Sequence, residues 1–368
     1  VSALDVVIRG GTVVTGEKTT VCDVGIRDGR VVALEENPGT AQQTIDARGK
    51  LVLPGGVDAH CHIAQRSSMG IETADDFYSG GVSAACGGTT TFIPFAAQHR
   101  GDSLLRVVED YHRRAESAFI DYAFHLIVSD PTEKVLGEEL PALIRRGYTS
   151  FKIYLTYDAL KLTDRQAVEV LALAARERAL TMVHAENHDL VAWLTSELLK
   201  AGHAAPRFHA EARPVLAERE ATHRAISLAE AAGASLLIVH VSSREAVEQI
   251  AWAQRRGLAV YAETCPQYLV LTSQDLDRPG FEGAKFMCSP PPRERSDQEA
   301  LWDALREGVI DVFSSDHAPY RFDDPQGKKL HGEEAPFHKI PNGVPSLEVR
   351  LPILFSEGVG KGRLSLER

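Results

Sequence analysis

The 368-residue chain is 25% charged and 44% hydrophobic with a formal charge of −11, an ordinary soluble globular balance with enough material for one large α/β barrel or two smaller domains. That charge, with no Lys/Arg cluster interleaved with aromatics, excludes broad phosphate-backbone binding and hence a nucleic-acid partner. Five cysteines (Cys22, Cys61, Cys86, Cys265, Cys288) without a C-x-x-C pair exclude a disulfide framework and fit a reducing, cytoplasmic setting; no apolar run nears the ~20 residues of a membrane span, and the start Val1-Ser2-Ala3-Leu4-Asp5 lacks the basic-then-apolar pattern of an export signal.

Residues 1–50 read as a small β unit. Asp5-Val6-Val7-Ile8-Arg9 and Thr12-Val13-Val14 flank Gly10-Gly11, read as a turn signal, and Asp28-Gly29 between two alternating segments is a strong hairpin cue. From residue 51 to 368, eight apolar β-rich runs follow, at 51–58, 89–95, 122–128, 150–155, 180–184, 236–241, 258–262 and 310–314. Amphipathic segments alternate with them, and helices are expected over 75–86, 104–117, 164–178, 213–232, 244–254, 296–306 and 346–355. Continuous Val/Ile/Leu runs suit parallel strands covered on both faces, and eight β/α repeats point to a (β/α)8 barrel. A doubly wound sheet would carry a Gly-rich phosphate turn after its first strand, and none is there. Two long irregular insertions, 64–73 and 317–343, each follow a strand end, which in a barrel places them over the catalytic face.

In such a barrel the polar residues at the C-terminal strand ends are the candidates for chemistry. The first run ends in His60-Cys61-His62, and residues i and i+2 of a strand share a face, so both imidazoles can reach one metal ion while Cys61 points away. With 14 His in the chain, an isolated H-x-H arises by chance in roughly one such chain in two, so confirmation has to come from elsewhere. The fourth run carries Lys152, the fifth ends in His184-Ala185-Glu186, the sixth in His240 and the eighth in Asp316-His317. Five strand ends thus supply His60, His62, Lys152, His184, His240 and Asp316. Lys152 is the odd member, because an ammonium repels metal ions and is costly to bury; an ion pair with Glu186 or Asp316 is the structural alternative.

The motifs Asp58-Ala-His-Cys-His62, Ala84-Ala-Cys-Gly-Gly-Thr-Thr-Thr91, Phe151-Lys152, His184-Ala-Glu186, Val239-His-Val-Ser242, Glu263-Thr-Cys-Pro-Gln-Tyr268, Cys288-Ser-Pro-Pro291, Ser315-Asp-His-Ala-Pro319 and Pro341-Asn-Gly343 resemble those of the hydantoinase/dihydropyrimidinase branch of the amidohydrolase superfamily. The likeness covers essentially the whole chain. It implies a zinc-dependent cyclic amidohydrolase that opens the ring amide of hydantoins or dihydropyrimidines to N-carbamoyl amino acids, a homotetramer whose partner is a small cyclic ureide. It further implies two zinc ions bridged by a carboxylated Lys152 and a hydroxide. One ion would take His60, His62 and Asp316, the other His184 and His240, with the Lys152 carbamate shared. Asp316 would act as base and then acid, Tyr157 would support the oxyanion, and Ser289 and Asn342 would bind the ring through main-chain groups. For Tyr157 the alternative is an aromatic packed at the barrel mouth.

Dihydroorotase-like relatives carry an Arg two residues after the second His, where this chain has Ala64, so a carboxylated ring is not the expected substrate. The 64–71 loop, Phe95, Tyr154 and the 158–161 loop are expected to shape the pocket for the ring substituent, with Arg66 facing either solvent or that substituent. Allantoinase is the nearest alternative activity. A non-catalytic scaffold of the same family is the alternative from another class, and retention of all six ligand positions counts against it. Relatives continue beyond Arg368 into strands that complete the N-terminal β-sandwich, so a truncated chain is expected, its sandwich incomplete and the N-terminal strands left with exposed apolar edges.

Overall fold

Pro54 divides the apolar run 51–58 between two sheets. In the structure, a computed structural model that describes residues 3–368, the chain folds as two units: the segment up to Gly56 together with Phe355–Arg368, and Val57–Leu354. The first unit is a five-stranded sheet of β1 (Leu4–Val14), β2 (Thr19–Arg27), β3 (Arg30–Glu35), β4 (Ala41–Asp46) and β5 (Leu51–Val52), in the order β3-β2-β1-β4 with β5 also on β1. The Gly10-Gly11 pair is a bulge inside β1, not a turn, since the register against β2 shifts between Ile8 and Gly11 and Gly10 takes φ +67°. Asp28-Gly29 does form the hairpin, both residues at positive φ as a tight primed turn requires. Val7, Val13, Val14 and Val24 are buried, while Val21, Val31, Val32 and Leu34 lie exposed. Thr19 Oγ1 donates to Glu367 Oε1 at 2.6 Å.

The second unit is the barrel. Its strands are β6 (Gly56–Cys61), β7 (Thr89–Ala97), β8 (Asp121–Tyr122), β9 (His125–Ile127), β10 (Ser150–Tyr154), β11 (Leu180–His184), β12 (Leu236–Ile238), β13 (Val260–Thr264) and β14 (Val312–Phe313). Eight of them run in sequence order around the sheet, β6-β7-β9-β10-β11-β12-β13-β14, with β8 an extra parallel pair on β7. The ring closes just past the named strands: His62 N donates to His317 O at 2.7 Å and Asp316 N to His60 O at 2.8 Å. Phe151, Ile153, Met182, Val183, Leu236 and Ile238 are buried, as continuous apolar strands covered on both faces should be.

Helices α1 (Phe77–Cys86), α2 (Leu104–Arg114), α3 (Leu140–Arg145), α4 (Asp164–Glu177), α5 (His188–Lys200), α6 (Phe208–Ala212), α7 (Val215–Ala232), α8 (Arg244–Arg255), α9 (Pro266–Val270), α10 (Arg295–Glu307) and α11 (Arg350–Ile353) connect the strands. α4 shows why they form where they do. Thr163 and Gln166 make a reciprocal capping box, Ala167, Val170, Leu171 and Ala174 bury one face, and Arg178 ends the helix at φ +57°. α5 escapes a periodicity search because only Val191 is buried along it, yet its Asn187 cap, accepting from Leu190 N, is an ordinary start signal. The expected helix 346–355 shrinks to the single turn α11 followed by a wide turn over Leu354–Val359; Pro352 lacks the N–H a longer helix would need there.

His125 on β9 is held neutral: Nε2–H donates to Ala59 O at 3.0 Å and Nδ1 accepts from Ser150 Oγ at 2.6 Å. Burial, with His60 nearby, lowers its pKa to about 4. The unfolded chain therefore binds the extra proton below about pH 6.5, so this stability is complete above that pH and is lost as pH falls toward 4, on the order of 3 kcal/mol. Denaturation midpoints measured from pH 7 to 4.5 are expected to fall less steeply in His125→Asn than in the parent. Identical slopes would contradict the assignment.

Candidate active site

The site is assembled where β6 meets the segment after β14. Asp58, fully buried on β6, accepts from Ser315 N at 2.9 Å and Ser315 Oγ at 2.5 Å. This clamp fixes the strand that carries His60 against the turn that carries Asp316. Asp316 and His240 adopt φ +48° and +42°, and Tyr157 φ +69°. Non-glycine residues seldom take such angles, and the cost of order 1 kcal/mol is borne where the fold must aim a side chain.

His60 Nε2 lies 3.1 Å from Asp316 Oδ1 and 2.9 Å from Lys152 Nζ, and His62 Nε2 lies 3.2 Å from the same Asp316 oxygen. Ligand atoms of His60, His62 and Asp316 all fall within 4.8 Å of one another, a spacing that suits one cation. His240 adjoins them, its ring centroid 5.5 Å from that of His60 and 4.4 Å from that of His184. The six side chains expected to converge do so.

Three of the four imidazoles are braced through one nitrogen, and in His60 and His62 the other nitrogen faces Asp316. His60 Nδ1–H donates to Glu263 Oε1 at 2.6 Å, His62 Nδ1–H to Gln65 Oε1 at 2.7 Å, and His184 Nε2–H to Glu186 Oε2 at 2.7 Å. His240 is anchored by its backbone N–H on Glu263 Oε1 at 3.1 Å, and both its ring nitrogens are buried without a partner. Burial holds His240 well below the usual imidazole range, with His184 and Lys152 adding to the effect; burial likewise lowers His62 and His184. Neutral rings with an open nitrogen are what a metal ion requires. The orphaned His240 nitrogens and the carboxylate of Asp316 therefore fit a metal centre. Burial raises Asp316, but His60, His62 and His240 more than offset it and hold the carboxyl well below its ordinary value.

The alternative of a Lys152 ion pair is not realised among the described residues. Glu186 is engaged by His184 and by Arg213 at 2.6 Å, and the nearest partner of Lys152 is an imidazole nitrogen. Burial lowers Lys152 to about 8, against the pull of Asp316 and Glu263.

Above these residues opens a cavity of about 180 Å³, lined by Lys152, His184, His240, Asp316, Tyr157 and Ser289 among others, with Asn342 and Gly343 also in its wall. Burial pushes the Tyr157 hydroxyl up to about 12, although Arg213, 5.2 Å over the ring, opposes this. Asn342 Oδ1 is buried with no partner. Tyr154, Leu160 and the exposed Arg66 line the cavity as expected. Phe95 does not; it packs beneath the histidines, 4.9 Å from the His60 ring and 5.3 Å from that of His62, because its strand position points inward below the mouth. His317 is a brace, with Nε2–H on Asp75 at 2.8 Å and Nδ1 accepting from Ser346 N at 3.1 Å.

Glu263, Asp58 and Arg213 are contributors that strand-end reading passes over, and Glu186, considered there as a partner of Lys152, instead braces His184 and is held by Arg213. Glu263 has a visible signal, a carboxylate ending the apolar run 258–262. Removing its charge should loosen His60 without emptying the barrel core. Glu263→Gln is expected to keep its fold and lower affinity for a divalent metal by about 10–100-fold, measured by competition with a chromophoric chelator; unchanged affinity would show that Glu263 does not orient His60.

Comparison with known proteins agrees with this geometry. Residues 51–347 match the Amidohydrolase family. The chain is 43% identical over 365 residues to a D-hydantoinase of Rhizobium radiobacter, covering 99% of this chain and 78% of the relative, and 45% identical to one of Geobacillus stearothermophilus, covering 98% and 76%. The solved dihydropyrimidinase of Brevibacillus agri superposes with a TM-score of 0.94 at 44% identity (98% and 78% covered), and an L-hydantoinase of Arthrobacter aurescens with 0.88 at 30% (99% and 79%). No helix among the described residues is long and apolar enough to cross a membrane. A closed (β/α)8 barrel, a His-x-His strand end facing an aspartate, and this level of identity over nearly the whole chain make it a member of the amidohydrolase family, in its hydantoinase/dihydropyrimidinase branch.

Proposed function

We propose that the protein hydrolyses the ring amide of hydantoins and dihydropyrimidines, releasing N-carbamoyl amino acids, and that it does so with two zinc ions. The observation that carries this is the buried meeting of Lys152, four imidazoles and Asp316 under a cavity of substrate size. His60, His62 and Asp316 would hold one ion, His184 and His240 the other, and Lys152, carboxylated on Nζ, both. Carbamate formation needs the neutral amine, which burial favours, and turns a repelling cation into a two-oxygen anionic ligand. When bound, the ions polarise the ring carbonyl and acidify water.

The remaining chemistry belongs to the chain. Asp316, kept ionised by the surrounding imidazoles, accepts a proton from the attacking water and returns it to the departing ring nitrogen. Tyr157 stays protonated across the working range and donates to the oxygen that becomes negative. Ser289 and Asn342 meet the ring from the cavity wall. The relatives at 42–45% identity are D-hydantoinases and the L-hydantoinase stands at 30%, which favours the D enantiomer of 5-substituted rings. Homotetrameric assembly follows the family likeness, and a cytoplasmic setting agrees with five free cysteines.

Turnover of hydantoin, 5-substituted hydantoins of both hands, dihydrouracil and allantoin, with zinc and bicarbonate supplied, tests this directly. Ring opening of the hydantoins is expected; activity confined to allantoin would replace the substrate class, and a folded, inactive protein that never binds zinc would point to a scaffold. Lys152→Ala is expected to lose zinc and at least about a hundredfold in turnover. Full metal content with near-normal rate in that variant would defeat the bridging role.

A further inference from the structure

Lys328 lies in the insertion after β14 and is 3% exposed. Its Nζ donates to Pro341 O at 2.7 Å and to Met287 O at 3.3 Å. Met287 O also accepts from Gly343 N at 2.8 Å. Two segments are thereby stapled together, Met287-Cys288-Ser289 and Pro341-Asn342-Gly343, and Ser289 and Asn342 both line the cavity. The backbones approach closely here: Gly343 takes φ +143°, and a Cβ on it would collide with Ala318 O. On the other side His209 Nε2–H donates to Cys288 O at 2.8 Å.

No carboxylate balances the burial of this amine among the described residues. Burial lowers Lys328 to about 7, opposed by the Cys288 thiol. A neutral amine still carries two N–H donors, one for each carbonyl, so the staple does not depend on the charge. A buried lysine that serves only two main-chain carbonyls at the substrate wall has a geometric task, since an apolar residue would fill the same space at less cost.

We propose that Lys328 is a positioning residue for substrate binding: by bonding Met287 O and Pro341 O it sets the separation of Ser289 and Asn342 and keeps the wall that receives the ring in register. This rests on the assignment of Ser289 and Asn342 to ring binding made above. Lys328 touches none of the proposed metal-holding side chains, so its loss should weaken binding of substrate and transition state alike.

The test is steady-state kinetics of the zinc-loaded full chain on hydantoin and on one 5-substituted hydantoin, with zinc content measured for each variant. Lys328→Met is expected to raise KM about tenfold for both rings, with kcat within about twofold and zinc unchanged, because Pro341 O loses its donor and Met287 O keeps only that of Gly343 N. Lys328→Gln, which keeps an amide donor, should raise KM less. Unchanged KM in a folded, zinc-loaded variant overturns the proposal, as does a fall in kcat that tracks loss of zinc. If Lys328→Met does not fold, Lys328→Gln alone decides by the same criterion. A parent protein inactive on both rings overturns the assigned function and this proposal with it, whereas an active parent with unaltered KM in both variants overturns the proposal alone.

Discussion

Lys152 Nζ is held inside the barrel with a histidine nitrogen, not a carboxylate, as its nearest partner. Burying an ammonium without a counter-ion is expensive, and the protein reduces that cost by lowering the amine's pKa. A lysine made partly neutral at this depth is of little use to a packed core. It is of considerable use as an amine that can react with carbon dioxide and present an anion to cations. The imidazoles of His62, His184 and His240 are neutral by burial, and Asp316 is the anion facing them. Much of the remaining structure serves to hold that arrangement still.

Three braces do this, each at a different strand end. Asp58 clamps Ser315 and so fixes β6 to the turn of Asp316. Glu263 on β13 holds both the ring of His60 and the backbone of His240 with a single oxygen. Glu186 holds His184 and is itself held by Arg213, whose guanidinium lies over Tyr157. Through Arg213 the metal-facing and substrate-facing sides of the pocket share one support. Closure of the barrel between the first and last strands brings Asp316 to His60, so the fold and the site depend on the same few hydrogen bonds.

The barrel was legible in the sequence because parallel strands covered on both faces leave continuous apolar runs, and each of the eight runs yields a strand. Their ends were less legible. The sixth run overshoots because the apolar stretch 236–241 continues past the last ladder pair at Ile238, and 51–58 reads as one strand although Pro54 splits it. The six converging side chains could be picked out because strand ends in a barrel open on one face. The braces could not, since Asp58, Arg213 and Lys328 act through partners distant in sequence: Ser315, Glu186 and the carbonyls of Met287 and Pro341. Phe95 is misplaced for a related reason, as residue type gives hydrophobicity but not depth below the mouth.

A crystal structure of the zinc-loaded protein, with anomalous scattering recorded at the zinc edge, examines the Lys152 centre most directly. Two anomalous peaks are expected, one against His60, His62 and Asp316 and one against His184 and His240, with additional density on Lys152 Nζ joining them. A well-ordered site with a bare Lys152 amine, or with a single ion that leaves His240 without a partner, would contradict the binuclear arrangement.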